Sequence, residues 1–514
     1  MKKPFLLFFL FLLLQSSVFA LKITKVNYNI EGCGAKIFGV TQDYVLAQAV
    51  PVDTKTDFEN EEAFKLYLEN YTQRLNNLRA FEKIEVTYEI IDNDITLNVY
   101  VKDSFHLFAI PGPKYDSNTG LTFKLKIKDS NFLGSLNTLN SGIYFMIPTF
   151  ESDADHAEFG FDINFDYPFK LGIFDATWLN DLDFSFTMGD KLPEWGISTG
   201  LRLGLPVGKH SIIFETNQKF NNNFDYKEFN DSMYFVNDFK ISMPLKVAEL
   251  EYSGDVLYTP YIKTSINWDF NGISKLNSDL SSPVLTAGHK IAFGRTDWNS
   301  NLRDGYYFSV DNYYTWNFQR QRFYPVIEMN AAAYKKIDLF DDSFILRNLG
   351  LCTDIRAFTF MSNPKKNKYI MNDGKAIGHY IRGVRDSQEF KDTQYSALTP
   401  TSALIFNFDI PIHLFSTNFQ KSFLRYFNFD LQLSPFFDMA LCYNKITQSI
   451  FSFKDGFYGT GLEVIVYPLK WSGITVRASV GIDAGRKFFA KNLNMDWRQN
   501  VSKTEIQLGF GLHY

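Results

Sequence analysis

The chain has 514 residues, 45% of them hydrophobic and 17% aromatic, with 53 phenylalanines and 28 tyrosines. That composition is too apolar and too aromatic for a disordered chain. A formal charge of −5, from 52 basic and 57 acidic residues, leaves no basic excess for holding nucleic acid. Three scattered cysteines, Cys33, Cys352 and Cys442, make neither a disulfide framework nor a zinc site, and the seven histidines lack metal-binding spacing. Neither a metal nor a cofactor is expected.

Residues 1–20 read as a secretory signal peptide. Lys2 and Lys3 precede an unbroken apolar run from Phe5 to Leu14, and Ser16, Ser17, Val18 and Ala20 form a small-residue exit. A spanning helix needs about 20 apolar residues, and no later run approaches that. The mature chain is therefore expected either to be soluble outside the cytoplasm or to cross an outer membrane with strands.

Residues 21–105 read as a small α+β domain. Ile23 to Ile30 alternates as a strand, and Thr41 to Val50 suits a short helix. Asn60 to Ala80 carries Phe64, Leu68, Tyr71, Leu75 and Leu78 along one helical stripe. Ile84 to Ile90 and Ile95 to Val101 form two further strands, joined by the turn residues Asp92, Asn93 and Asp94. The expected order is β-α-α-β-β.

Residues 106–514 form the second expected domain, in which several stretches after residue 120 alternate strictly with period two. Phe123, Leu125 and Ile127 interleave with Lys124, Lys126 and Lys128. Phe159, Phe161, Ile163 and Phe165 interleave with Gly160, Asp162, Asn164 and Asp166, and Phe427 to Ser434 repeats the theme. One face is bulky and apolar, the other polar or charged. Long Phe-rich strands with charged opposite faces fit an all-β transmembrane barrel, apolar outside and polar inside. The last eight residues sharpen this. Alternation places Leu508, Phe510, Leu512 and Tyr514 on the lipid face, between Gln507, Gly509 and Gly511.

That ending resembles the terminal assembly signal of outer-membrane barrels, carried here by Gln507, Gly509, Leu512 and Tyr514. The run Leu78 to Val86, with Val26 to Gly32 and Leu97 to Lys102, resembles a POTRA domain. One POTRA domain ahead of a barrel resembles the BamA-like outer-membrane insertase superfamily. The resemblance implies a surface-antigen-type barrel of about sixteen antiparallel strands, which 409 residues (106 to 514) accommodate at ~26 per strand and connection. Asp129 to Gly134 resembles the end of the family's first strand, and Arg303-Asp304-Gly305 resembles a mid-barrel turn.

Tyr380-Ile381-Arg382-Gly383-Val384 resembles the tip of the family's sixth extracellular loop. The resemblance implies that this loop folds into the lumen, where Arg382 meets acids on the wall and Gly383 permits the tight turn. Pro435 to Ala440 resembles the wall strand, with Asp438 as the acid and Ala440 where the family has glycine. Alternation from Asn428 independently turns Asp438 inward. The family's second carboxylate falls at Asn407, which offers only an amide. Either Asp409, two residues on and on the same face, replaces it, or Arg382 has one acid fewer. Gly196 to Gly200 matches the nucleophile-elbow pattern, but it leads into the alternating Leu201, Leu203 and Leu205 and lacks α/β context. No catalytic group is expected.

The resemblance implies assembly of outer-membrane proteins through a seam between a first strand near Leu121 to Lys128 and a last strand near Thr504 to Tyr514. The implied partners are the lipid bilayer, unfolded outer-membrane proteins as clients, and periplasmic accessory proteins or lipoproteins. Alternatives are an exporter of the same superfamily, secreting a protein or delivering lipid, and a passive porin or surface adhesin.

Overall fold

The computed structural model describes residues 21–33, 39–91, 93–116, 120–148, 156–189, 192–208, 210–222, 233–250, 254–268, 282–299, 301–319, 321–339, 346–360, 375, 377–384, 400–421, 424–443, 451–453, 456–470, 475–485 and 504–510. Residues 1–20, the expected signal peptide, and Leu512 and Tyr514 of the expected assembly signal lie outside them. The chain divides into two compact units, one of residues up to His106 together with Asn131–Leu136, the other of Leu107–Ser130 and the rest.

The first unit is a four-stranded sheet with two helices. Its elements are β1 (Leu21–Glu31), α1 (Asp43–Ala49), β2 (Asp57–Phe58), α2 (Glu61–Asn77), β3 (Phe81–Ile91) and β4 (Asp94–Asp103). The sheet order is β2-β1-β4-β3, with β1 parallel to β4 and β3 antiparallel to it. Helix α2 starts where the Asn60 side chain accepts from the Ala63 N–H at 2.8 Å, with Glu61 and Glu62 at its positive end. Its stripe of Phe64, Tyr71 and Leu75 is buried against Ile23, Ile95, Leu97, Val99 and Val101 of the sheet. The expected element order is present, with the two-residue β2 as an addition.

The second unit is a closed antiparallel barrel. Its first strands are β5 (Leu107–Asp116), β6 (Gly120–Asp129), β7 (Leu139–Ile147), β8 (Glu158–Leu171), β9 (Phe174–Thr187), β10 (Glu194–Val207) and β11 (His210–Asn222). Next come β12 (Met233–Ser242), β13 (Leu245–Leu250), β14 (Gly254–Trp268), β15 (Val284–Asn299), β16 (Leu302–Asn317), β17 (Arg322–Asp338) and β18 (Asn348–Phe360). The wall ends with β19 (Ser402–Asp409), β20 (Ile412–Ser416), β21 (Phe429–Cys442), β22 (Phe457–Pro468), β23 (Val476–Asp483) and β24 (Thr504–Phe510).

These segments fill eighteen positions among the described residues, because two strands are each broken in two. β12 and β13 both pair with β14, while β19 and β20 share neighbours β18 and β21. A proline lies in each break, Pro244 and Pro411, where a missing N–H interrupts the ladder. Against the expectation of about sixteen strands, the described residues make eighteen. The expected first strand, Leu121 to Lys128, is the second: β5 precedes it and closes the barrel against β24. Pro111 and Pro113 break the alternation by which a strand is read, and that hid β5. Likewise Arg303-Asp304-Gly305 lies within β16, not in a turn; Arg303 stacks on the Tyr334 ring at 3.9 Å.

Burial is inverted relative to a soluble sandwich. Phe123, Leu125, Ile143, Phe159, Leu462, Val464 and Val480 are exposed on the outer wall, while Gln432, Ser434, Asp438, Glu463 and Ser479 are buried inside. The ends of the barrel also differ. Two residues separate β8 from β9, β10 from β11 and β15 from β16 at one end, whereas 10 separate β11 from β12 and 15 separate β14 from β15 at the other. Ser198, in the nucleophile-elbow pattern, sits mid-strand in β10 and donates to Asn217 Oδ1 at 2.8 Å.

Candidate functional site

In the connection between β18 and β19, Ile377, Gly378 and residues 381–384 are buried inside the wall, and Tyr380 is half-buried. Ile377, Ile381 and Val384 pack with Phe358, Ala403, Ile405, Ala440, Cys442 and Phe457 in an apolar cluster. Ala440 and Cys442 are therefore packing residues, and the methyl at 440 fills space beside the loop. This anchoring presents the next residue, Arg382, to the polar wall. Only 1% of its surface is exposed.

All five guanidinium hydrogens of Arg382 are used. Nη1 and Nη2 reach the two oxygens of Asp409 at 2.8 and 2.9 Å; Nε and Nη2 reach those of Asp438, both at 2.9 Å; Nη1 reaches Glu463 Oε2 at 3.0 Å. The Arg382 backbone N–H also donates to Asp438 at 2.8 Å. The guanidinium lies over the Phe436 ring with Cζ at 3.8 Å from its centroid. A planar fork with five donors can bind two carboxylates bidentately, which a lysine ammonium cannot. Glu463 shares its other oxygen with Arg477 Nη1 at 3.1 Å.

Register explains why these groups meet. Asp409, Phe436, Gly461, Gly481 and Glu505 stand opposite one another in a row across β19, β21, β22, β23 and β24. The next inward row runs Asn407, Asp438, Gly459 and Asp483. The glycines form a floor on which the loop tip rests. A Cβ on Gly459 would collide with the Arg382 carbonyl oxygen, and one on Gly481 would lie 2.7 Å from Gly383 Cα. Gly383 itself has φ +80°, and a Cβ there would press on the Ile482 backbone at 2.7 Å. Its N–H donates to Glu505 Oε2 at 2.6 Å.

The structure thus brings Arg382, Gly383, Asp438 and Asp409 together. Asn407 stands beside them but binds elsewhere, donating to the Tyr380 carbonyl at 2.6 Å. Of the two sequence alternatives, Asp409 supplies the second carboxylate. Glu463, Glu505, Arg477 and the glycine floor were not singled out from the sequence. A lone acid in the apolar run Leu462 to Tyr467 was a signal for Glu463, and the alternation that turned Gln507 inward applies equally to Glu505. Gln507 and Gly509 lie on β24, opposite Ser479 and Arg477. A Cβ at Gly509 would meet only Arg477 Nε, at 4.0 Å.

No protein-family model matches the chain, and no curated protein matches it. Among solved structures it is similar to CdiB from Acinetobacter baumannii, with 12% identity and a TM-score of 0.46 over 96% of this chain and 73% of that one. It is similar to CdiB from Escherichia coli at 8% identity and a TM-score of 0.47, over 95% of this chain and 76% of that one. BamA from Haemophilus ducreyi lacking POTRA domains 1–3 matches at 13% identity and a TM-score of 0.37, over 95% and 84%.

Proposed function

We propose that this protein is an outer-membrane barrel of the BamA-like superfamily that assembles other outer-membrane proteins by strand exchange at its seam. The observation that carries the reading is the pairing of a wall-anchored lumen loop with a barely closed barrel. Among the described residues, β24 meets β5 through one register pair, Gln507 and Asp116, whereas it meets β23 from Thr504 to Phe510. An open strand edge recruits another strand by backbone hydrogen bonds. The first unit is read as a single periplasmic POTRA domain, the tight-turn end as periplasmic and the long connections as extracellular. Clients are unfolded outer-membrane proteins, with periplasmic accessory proteins or lipoproteins delivering them. Catalysis is of insertion, with no bond chemistry, so the protein is not an enzyme in that sense.

The second reading is a dedicated exporter of the same superfamily, to which the same loop and seam apply. Quantitative proteomics of the outer membrane after depletion separates the two. Assembly expects many unrelated barrels to fall together while lipoproteins stay. An unchanged barrel population with the loss of one secreted protein or lipid refutes assembly and leaves the exporter.

A further inference from the structure

The hairpin of β15 and β16 leaves the wall at the short-connection end of the barrel. Among the described residues, β15 pairs with β14 only as far as Ala292, and β16 with β17 only as far as Gly305. From Asp297↔Asp304 to Asn299↔Leu302 the two strands pair with each other alone. Gly294 and Gly305 stand where they depart, with φ +118° and +117°. A Cβ on Gly294 would lie 2.3 Å from the Tyr306 carbonyl oxygen, and one on Gly305 would lie 2.2 Å from that of Arg295. Each strand of the hairpin therefore bends at a residue whose backbone demands glycine.

Past the bend the arm folds inward. Arg303, at its root, lies over the Tyr334 ring at 3.9 Å. Leu302 is buried beside Gly350 of β18, where a Cβ would come within 3.2 Å of Leu302 Cδ2. Asn301, in the turn, donates through Nδ2 to Asp430 Oδ2 at 2.6 Å, and its carbonyl accepts from Gln432 Nε2 at 3.1 Å. Asp430 and Gln432 are buried on the inner face of β21, which stands three places beyond β17 in the barrel order. Other hairpins at this end do not behave so. Leu171 and Val207, which end β8 and β10, are exposed.

We propose that this hairpin is a hinged strap that closes the lumen at the short-connection end, held shut by Asn301 on Asp430 and opened by swinging about Gly294 and Gly305. The clasp suits a closure that must also release. A charge-assisted bond from an amide to a carboxylate, backed by one buried leucine, favours the shut position. Because the donor is neutral, letting go strands no cation, unlike a break at Arg382. The arm keeps its own ladder in both positions, so the swing breaks contacts of its tip and root and no backbone pairing within it. The inference goes beyond the assembly reading, since it concerns the lumen and not the seam, and it applies equally to an exporter.

The test uses the full chain with Cys33, Cys352 and Cys442 replaced by alanine, each variant being checked for a folded barrel by heat-modifiability. A single cysteine is placed at Leu302, on the arm, or at Ser309, equally buried on β16 but on the wall side of the bend. A water-soluble maleimide in detergent micelles should label both slowly. Adding Asn301→Asp sets a second carboxylate against Asp430. It is expected to speed labelling at 302 by about tenfold or more, the ratio that one charge-assisted hydrogen bond sustains, and to leave 309 unchanged. In planar lipid bilayers the same substitution is expected to raise the fraction of time spent conducting by a similar factor. A second pair of measurements uses one polypeptide in two states. Asn301→Cys and Asp430→Cys, joined by a short methanethiosulfonate cross-linker, should keep conduction at or below the native level, and reductant should raise it by about tenfold or more. Labelling at 302 indifferent to Asn301→Asp, equal acceleration at 309, or conduction unmoved by either change to the clasp overturns the proposal.

Discussion

Arg382 has no water to fall back on, and that sets the consequence of losing it. Its five donors meet three carboxylates, and Asp409, Asp438 and Glu463 are each almost wholly buried. Arg382→Ala leaves those acids facing one another without their cation, and is expected to destabilise the barrel by about 3–5 kcal/mol. Arg202, whose pair with Glu215 is only partly buried, is expected to cost about 1 kcal/mol or less when changed to alanine. Urea titration of the heat-modifiable band distinguishes the two, and equal midpoints would refute the anchor role. In the first unit, Asp103 accepts from the Thr41 N–H and hydroxyl at 2.9 and 2.6 Å. Burial holds its carboxyl above the ordinary aspartate range, and the Thr41 donors only partly reverse this. A raised acid contributes its stability below the unfolded value of about 3.9 and loses it as pH rises through the folded value. Hydrogen-exchange protection of Leu46 and Leu97, corrected for intrinsic rate, should therefore decline over that rise in the native chain and stay flat in Asp103→Asn.

Strands act as units because their backbone bonds are shared. β19 and β20 keep one position in the wall although Pro411 cuts the ladder, since Ile410 N–H still donates to the Pro435 carbonyl and Gly350 N–H to that of Pro411. A disulfide between Gln507→Cys and Asp116→Cys, which stand opposite each other across the seam, should leave the barrel folded by heat-modifiability. Under the assembly reading, it should abolish insertion of a model barrel into liposomes and reduction should restore it. Unimpaired insertion by the locked protein would remove the seam from the mechanism.

Across the whole barrel, the loop tip makes the two halves of the wall unequal. Inward residues of β19, β21, β22 and β23 are buried, whereas those of β8 to β11 remain mostly half-buried. A strand buried on its inner face opens only with the packing around it, so protection should be uneven. Hydrogen exchange read by mass spectrometry is expected to be slowest in β19 to β23 and fastest in β5 and β6. A uniform profile would mean that the loop adds no stability to the wall it touches.

Period-two alternation made the barrel legible, because an outward apolar row beside an inward polar row leaves the same trace in strand after strand. The helical stripe from Phe64 to Leu75 did the same for the first unit. Both are local consequences of side-chain direction, so residue order alone determined them. Arg382, Gly383 and Asp438 were legible through a resemblance and, for Asp438, through parity. What stayed hidden depends on which strands lie side by side. Residues 409, 463 and 505 share a site only because register sets their strands opposite one another, and Gly459 and Gly481 matter only because a distant loop lands on them. The first strand escaped notice because its prolines erase the alternating signal, and only the pairing with β6 and β24 places it in the wall.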